Sequence, residues 1–237
     1  MIPIFIGWDK KEPIAYHVLS HSILRRSSVP VSITPINRDN LRGLYDRPRG
    51  EKDSTDFSNS RFMVPLLMGY QGWAIFMDCD MLCLSDIAEL WAQRNSRYAV
   101  MVKQHTHEGT EGTKFLGQTQ SPYERKNWSS LMLMNCGECH TLTRQAVNSQ
   151  PGLWLHRFGW LPDHMIGEIQ GSWNHLVGVN EPDHTAKLPH YTLGGPWHGY
   201  NDVEFSRHWY TELEDLEQGE NPIRWRYEAT AGLRAAG

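Results

Sequence analysis

The segment Trp73-Ala-Ile-Phe-Met-Asp78-Cys-Asp80 constrains this chain more than any other, because an apolar run stops abruptly at two carboxylates with one residue between them. A short, nearly all-apolar stretch bounded by Gly72 and by Asp is the pattern of a strand buried on both faces, inside a sheet that helices cover on each side. In open parallel sheets ligands collect outside the carboxyl ends of the strands, which is where these two Asp emerge. Side chains at i and i+2 of an extended segment point the same way, so Asp78 and Asp80 can face one cation. Clustered oxygens suit a hard divalent ion, Mg²⁺ or Mn²⁺, whose remaining positions usually go to phosphate oxygens. The plainer alternative leaves one Asp to cap the next helix. That helix already has its cap in Ser85-Asp86, with Glu89 three residues further on.

Around this strand the chain alternates between strand and helix patterns. Pro3-Ile-Phe-Ile6 is a first strand and Gly7-Trp8-Asp9-Lys10-Lys11 its exit loop. Pro13 suits the first turn of a helix, and Ile14, Val18, Leu19 and Ile23 follow at helical spacing. Val31-Ser-Ile-Thr-Pro-Ile36 is a second strand, which completes a βαβ unit. Residues 37–56 read as a polar surface loop with some helix at 41–45, and 60–68 as a helix. Further strands are expected at 97–102 and 127–134, a long functional loop at 105–120, and helix after Leu142. Pro162-Asp163 opens the 163–169 segment, 190–197 is glycine-rich, and the tail from Asp202 is helical and charged. The expected class is α/β, with a Rossmann-like nucleotide-binding unit and a mainly parallel, mixed central sheet flanked by helices. Residues 1–200 form a single catalytic domain in this reading, and 201–237 a C-terminal extension.

At 237 residues the chain is long enough for a substantial core. Its formal net charge of −4 argues against broad nucleic-acid or anionic-membrane binding. No apolar run approaches the roughly 20 residues that span a bilayer, and Met1-Ile-Pro-Ile-Phe-Ile-Gly lacks the features of a signal segment. A cytoplasmic protein is expected. Gly7-Trp8-Asp9 is not G-x-G-x-x-G, so a dinucleotide oxidoreductase is not supported.

Two other readings compete. Cys79, Cys83 and the pair Cys136-Gly-Glu-Cys139 allow a Cys₄ zinc site in a non-enzymatic interaction module. Against it, Cys79 lies between the two Asp and should point to the opposite face of its strand, into packed side chains. A haloacid-dehalogenase-like phosphatase also uses Asp-x-Asp after a strand, with the first Asp as nucleophile. Such enzymes carry the motif on their first strand, whereas a whole βαβ unit precedes it here.

Taken in order, the landmarks resemble glycosyltransferase family 8, the retaining, metal-dependent enzymes of the GT-A fold. The resemblance spans about residues 1–200 and rests on Arg61-Phe62-Met-Val-Pro65, Phe76-Met-Asp78-Cys-Asp80 with Leu90-Trp91, Ser129-Ser-Leu-Met-Leu-Met-Asn135, Leu161-Pro-Asp163, and His190-Tyr191 leading to Gly195-Pro196-Trp197. It implies transfer of a sugar from a nucleotide-diphosphate sugar, UDP-sugar favoured, to a carbohydrate or other hydroxyl acceptor, with Asp78, Asp80 and His190 as ligands of Mn²⁺ or Mg²⁺. It also implies that Asp9 meets the base or ribose, that Tyr16 stacks on the base, that Arg61 lies near the donor sugar and phosphates, and that Asp163 lies beside the reacting centre. The family's lysine before Pro-Trp is replaced here by Gly194-Gly195. Phosphate charge then falls to the backbone N–H groups of those glycines, or to Lys103, Arg125 or Lys126. His164 stands where the family tends to have Gln. Among the ten tryptophans, Trp128, Trp154, Trp160, Trp173 and Trp197 are candidates for sugar acceptor contacts. His17 and His21, one turn apart, read as a packed or solvated helix face.

Overall fold

A computed structural model describes residues 1–50, 53–106, 112–113, 119–120 and 123–218. The strands are β1 (Ile2–Gly7), β2 (Val31–Ile36), β3 (Trp73–Met77), β4 (Val100–Val102), β5 (Gly112–Thr113), β6 (Thr119–Gln120), β7 (Leu131–Asn135), β8 (Ile166–Glu168), β9 (His175–Leu176) and β10 (Pro189–His190). The helices are α1 (Pro13–Arg26), α2 (Val64–Leu67), α3 (Ile87–Trp91), α4 (Arg144–Ser149), α5 (Gly152–His156) and α6 (Ser206–Gln218). Most of the expected 105–120 loop, and the tail beyond 218, lie outside the described residues.

Six strands make one sheet in the order β2-β1-β3-β7-β4-β8. β1 runs parallel to β2 and β3, and β4 parallel to β8, while β7 is antiparallel to both neighbours. This is the mainly parallel, mixed α/β sheet expected. The registers Met77↔Leu131, Val102↔Met132 and Val102↔Glu168 bring the ends of β3, β4 and β8 and the start of β7 to one edge. Residues 74–77 and 131–134 are buried, as two-sided cover requires. Each such large apolar side chain contributes roughly 1.5–3 kcal/mol when taken out of water. At the end of β1, a side chain on Gly7 would meet the Phe57 ring at 2.3 Å, so glycine lets that ring lie on the backbone.

Local chemistry explains the element ends. Pro13 opens α1, Ala15, Val18, Leu19, Ser22 and Ile23 form its buried stripe, and Arg25 and Arg26 close it where cations suit the helix dipole. Asp86 caps α3 by accepting the Ala88 N–H at 2.9 Å. Two expectations shift. The helix expected at 41–45 is a single turn, and a 3₁₀ turn forms earlier, at Arg38–Asn40, because the Asn37 side chain accepts the Asp39 N–H at 3.0 Å. The strand expected from 127 begins at Leu131, since Asn127 is left-handed (φ 63°) and a 3₁₀ turn follows.

A second core, formed by Val18, Leu82, Val177, Ala186, Tyr191, Phe205 and Trp209, lies between α1, α6 and the 190–197 segment. Buried Glu212 of α6 meets His21 Nδ1 at 2.6 Å and Arg26 Nη1 at 2.7 Å, while Arg25 pairs with Asp215. His21 therefore serves helix packing, as read from its spacing. Replacing Glu212 with Ala leaves the Arg26 guanidinium and the His21 ring without their buried partner and is expected to cost roughly 2–4 kcal/mol. Urea denaturation measures it, and an unchanged midpoint would show that the pair contributes nothing. Among the described residues, no helix is long and apolar enough to cross a membrane.

Candidate metal and donor site

Asp78 and Asp80 leave the end of β3 at the shared sheet edge. The Asp78 N–H donates to Ser130 O at 2.9 Å and so prolongs the β3–β7 ladder. The chain around His190 is then laced to the segment after Asp80. Leu82 N–H donates to Pro189 O, Tyr191 N–H to Asp80 O, and Met81 bridges His190. Backbone pairing thus delivers the imidazole to the carboxylates, and one ligand atom from each of Asp78, Asp80 and His190 lies within 4.8 Å of the others.

The imidazole is oriented for coordination. Asn174 Nδ2 donates to Asn127 O at 3.1 Å, which turns Asn174 Oδ1 toward His190 Nδ1, 2.8 Å away. An amide oxygen only accepts, so Nδ1 carries a proton and Nε2 is the ring atom turned to Asp80 Oδ1, 3.3 Å away. Arg61, buried, places Nη1 at 2.7 Å from Asp78 Oδ1 and donates to the carbonyls of Ser58 and Ser129, with its guanidinium between the rings of Phe57 and Phe76. His156, whose Nδ1 is 2.8 Å from Ser129 Oγ, is pushed down to about 3 by burial and by Arg61, so it adds no charge beside Arg61.

Burial pushes the Asp78 carboxyl up to about 6, and Asp80 adds to this against the pull of Arg61 and His190. Nearby Glu12 is pushed up to about 8, first by burial and then by Asp80 and Asp9. Buried carboxylates so close repel one another, and a cation between them offsets that repulsion. Two carboxylates with an oriented imidazole fit a divalent ion.

The other expected residues fall into place differently. Asp9 is buried at the exit of β1, and its two oxygens accept the N–H groups of Lys11 (2.9 Å) and Asp56 (3.0 Å), so it braces two loops. Half-buried Tyr16 meets Trp8 edge to face at 5.1 Å. Gly194 (φ 116°) adopts a conformation that favours glycine, and a side chain on Gly195 would strike the Trp197 ring at 2.1 Å. Asp163 is exposed and pairs with Arg125 Nη2 at 2.7 Å. It touches none of the three candidate ligands. Of the other candidate phosphate cations, Lys103 lies 3.8 Å from Glu168 Oε1, and buried Lys126 sits by the Tyr123 ring.

Some expectations need correction. All four cysteines are free and buried, and among the described residues the Asp78-Asp80-His190 group alone gathers three potential ligands, so no Cys₄ zinc site forms. Trp160 and Trp173 are core residues, which leaves half-buried Trp128, Trp154 and Trp197 as the accessible members of the proposed acceptor set. Sequence reading missed Asn174 and Glu12. Asn174 stands next to His175 without periodicity to mark it, and Glu12 looks like one more polar residue before Pro13.

No family model matches the chain. Among solved structures, the bifunctional glycosyltransferase WbbM superposes with a TM-score of 0.65 at 13% identity, over 90% of this chain and 49% of that one, so this chain spans about half its length. An active-site mutant of LgtC gives 0.58 at 12% identity over 95% of this chain and 99% of its own. The glycosyltransferase GlyE of Streptococcus pneumoniae TIGR4 gives 0.59 at 10% identity over 89% and 59%. At such identities the likeness is one of fold, and that fold is the GT-A type of glycosyltransferases. A nearer relative is Protein CDI of Arabidopsis thaliana, 49% identical over 225 residues that cover 91% of this chain and 87% of that protein. Identity of that order, sustained along nearly the whole of both chains, means that this protein belongs to the same family as Protein CDI.

Proposed function

We propose that the protein is a metal-dependent glycosyltransferase that moves a sugar from a nucleotide-diphosphate sugar, UDP-sugar favoured, to a carbohydrate or other hydroxyl acceptor with retention. The observation that carries this reading is the convergence of Asp78, Asp80 and the oriented His190 at the carboxyl edge of a GT-A sheet. The resemblance to glycosyltransferase family 8 supports it at the same residues. Asp78, Asp80 and His190 would hold Mn²⁺ or Mg²⁺. A divalent ion held there would supply positive charge to offset that of the nucleoside diphosphate leaving group. Arg61 holds Asp78 in place and brings positive charge to the same edge. Tyr16 and Asp9 line the exit of β1 where the nucleoside would lie, and the Gly194-Gly195 backbone would face the diphosphate. Asp163, paired with Arg125, would meet the donor sugar.

In this reading residues 1–200 are the catalytic domain and 201–237 an extension whose helix α6 packs on α1. Four buried free cysteines suit a reducing compartment, in line with a cytoplasmic setting.

The test is calorimetric titration of UDP into the protein with Mn²⁺ or with EDTA. Nearly all heat of binding is expected to vanish in EDTA, because the diphosphate would otherwise meet uncompensated carboxylates. Equal affinity under both conditions would overturn metal-dependent donor binding.

A further inference from the structure

Glu12 occupies the N-cap position of α1, yet its side chain makes no bond to its own helix. The carboxyl group is almost fully buried (2% exposed). Its Oε2 instead accepts the indole N–H of Trp197 at 3.0 Å and lies 3.4 Å from His198 Nε2. Both partners belong to one short turn, Pro196–His198, which directly follows Gly194-Gly195. The Trp197 ring rests on the Gly195 backbone, meets Tyr191 edge to face at 5.6 Å and tilts over Trp209 at 5.4 Å. Tyr191 is the residue whose N–H donates to Asp80 O, so the turn continues the same strand that carries His190.

Three roles are open to a buried acid in this position. As a ligand it fails, because the group whose atoms converge within 4.8 Å comprises Asp78, Asp80 and His190 without it. As a helix cap it fails, because no capping bond forms. As a tie between two segments it succeeds. It joins the exit of β1, on the side of Asp9 and Tyr16, to the glycine turn beyond His190. A carboxylate near Asp9 and Asp80 is costly to hold, and a bond to an indole donor offsets part of that cost.

We propose that Glu12 is a positioning residue which, through Trp197 and His198, latches the Pro196–His198 turn to the start of α1 and so holds the nucleoside and diphosphate halves of the donor site in register. The ligand in this inference rests on the function proposed above, whereas the latch itself does not. Preorganising two halves of one site lowers the ordering cost of binding, so the latch acts on donor affinity rather than on the bond-breaking step.

The experiment compares Glu12→Gln, Glu12→Ala, Trp197→Phe and the double variant Glu12→Ala/Trp197→Phe. UDP affinity in Mn²⁺ is read by calorimetry, and exchange of the Trp197 indole proton is read by NMR without ligand. Glu12→Ala and Trp197→Phe are each expected to weaken UDP binding about tenfold, and the double variant no further than either alone, as expected of residues that act through one bond. Glu12→Gln keeps an oxygen for the indole and should stay within about threefold of the native protein. Turnover at saturating donor should likewise stay within about threefold in Glu12→Gln and Glu12→Ala, with the loss in Glu12→Ala appearing in KM. Additive losses, or Glu12→Gln as damaging as Glu12→Ala, would overturn the latch. Should the native protein bind no UDP in Mn²⁺, the donor reading fails and the indole proton still decides the latch. It must exchange faster in Glu12→Ala, and unchanged exchange overturns the tie. Trp197→Phe keeps an aromatic ring and Glu12→Gln is isosteric with the native side chain, so the UDP comparison stands on that pair if Glu12→Ala does not fold.

Discussion

Asp80→Asn is expected to fold and to lose roughly a hundredfold or more in transferase turnover, the scale of one missing electrostatic stabiliser. The carboxamide matches the carboxylate in shape, so the ladder Tyr191 N–H to Asp80 O survives, and what goes is one negative charge facing His190 Nε2. The same change has a signature in the metal-free protein. Asp78 and Glu12 hold their protons to about 6 and about 8 when folded, in each case partly because of Asp80. The folded state therefore binds more protons than the unfolded state above the ordinary carboxylate range, and stability falls as pH rises until those folded values are passed. Without the Asp80 charge both groups titrate lower, so the decline between about pH 4 and pH 8 should flatten. Urea midpoints across that range in EDTA, with turnover in Mn²⁺, check both halves. Asp78→Asn should lose turnover on the same scale, and it also removes the charge that balances Arg61. If both variants unfolded yet kept full turnover per folded molecule, the pair would be structural.

His190→Ala and Asp163→Asn are expected to fail in opposite ways. The first removes the one nitrogen among the candidate ligands and should weaken Mn²⁺ and UDP together by at least the roughly 10–100-fold that loss of a ligand's outer-shell partner costs. The second removes a carboxylate that touches none of those ligands and should leave UDP affinity intact while turnover falls, because its proposed contact is with the sugar. Measuring UDP affinity and turnover of both variants at one Mn²⁺ concentration separates them. The result is a difference between variants and assigns neither residue a fixed share of catalysis. Equal loss of UDP affinity in the two would show that Asp163 is not a sugar-site residue.

How much of this was legible in advance depends on the range of the forces involved. The strand at 73–77, its carboxylates, the helix after Pro13 and the cap at Asp86 follow from a bounded apolar run, helical spacing and capping chemistry, which act within a few residues. The α/β class follows from the same local patterns in sequence, and the likeness of ordered motifs pointed to the GT-A fold. The antiparallel direction of β7 was not legible, since a run such as Leu-Met-Leu-Met reads alike in either direction. Nor was the difference between core and accessible tryptophans, because Trp160 and Trp173 are placed by neighbours distant in the chain.

The sequence by itself determined that Asp78 and Asp80 share one side of a strand end, for two-residue alternation is a property of the backbone. Only the tertiary structure decided that His190 would face them with Nε2, because that needs the bridge to Met81 and the Asn174 amide, itself oriented by Asn127. It also decided that Glu12 would turn from its own helix to an indole 185 positions away. Contacts at that separation leave no local periodicity, since chain closure and packing of the whole second core bring them together.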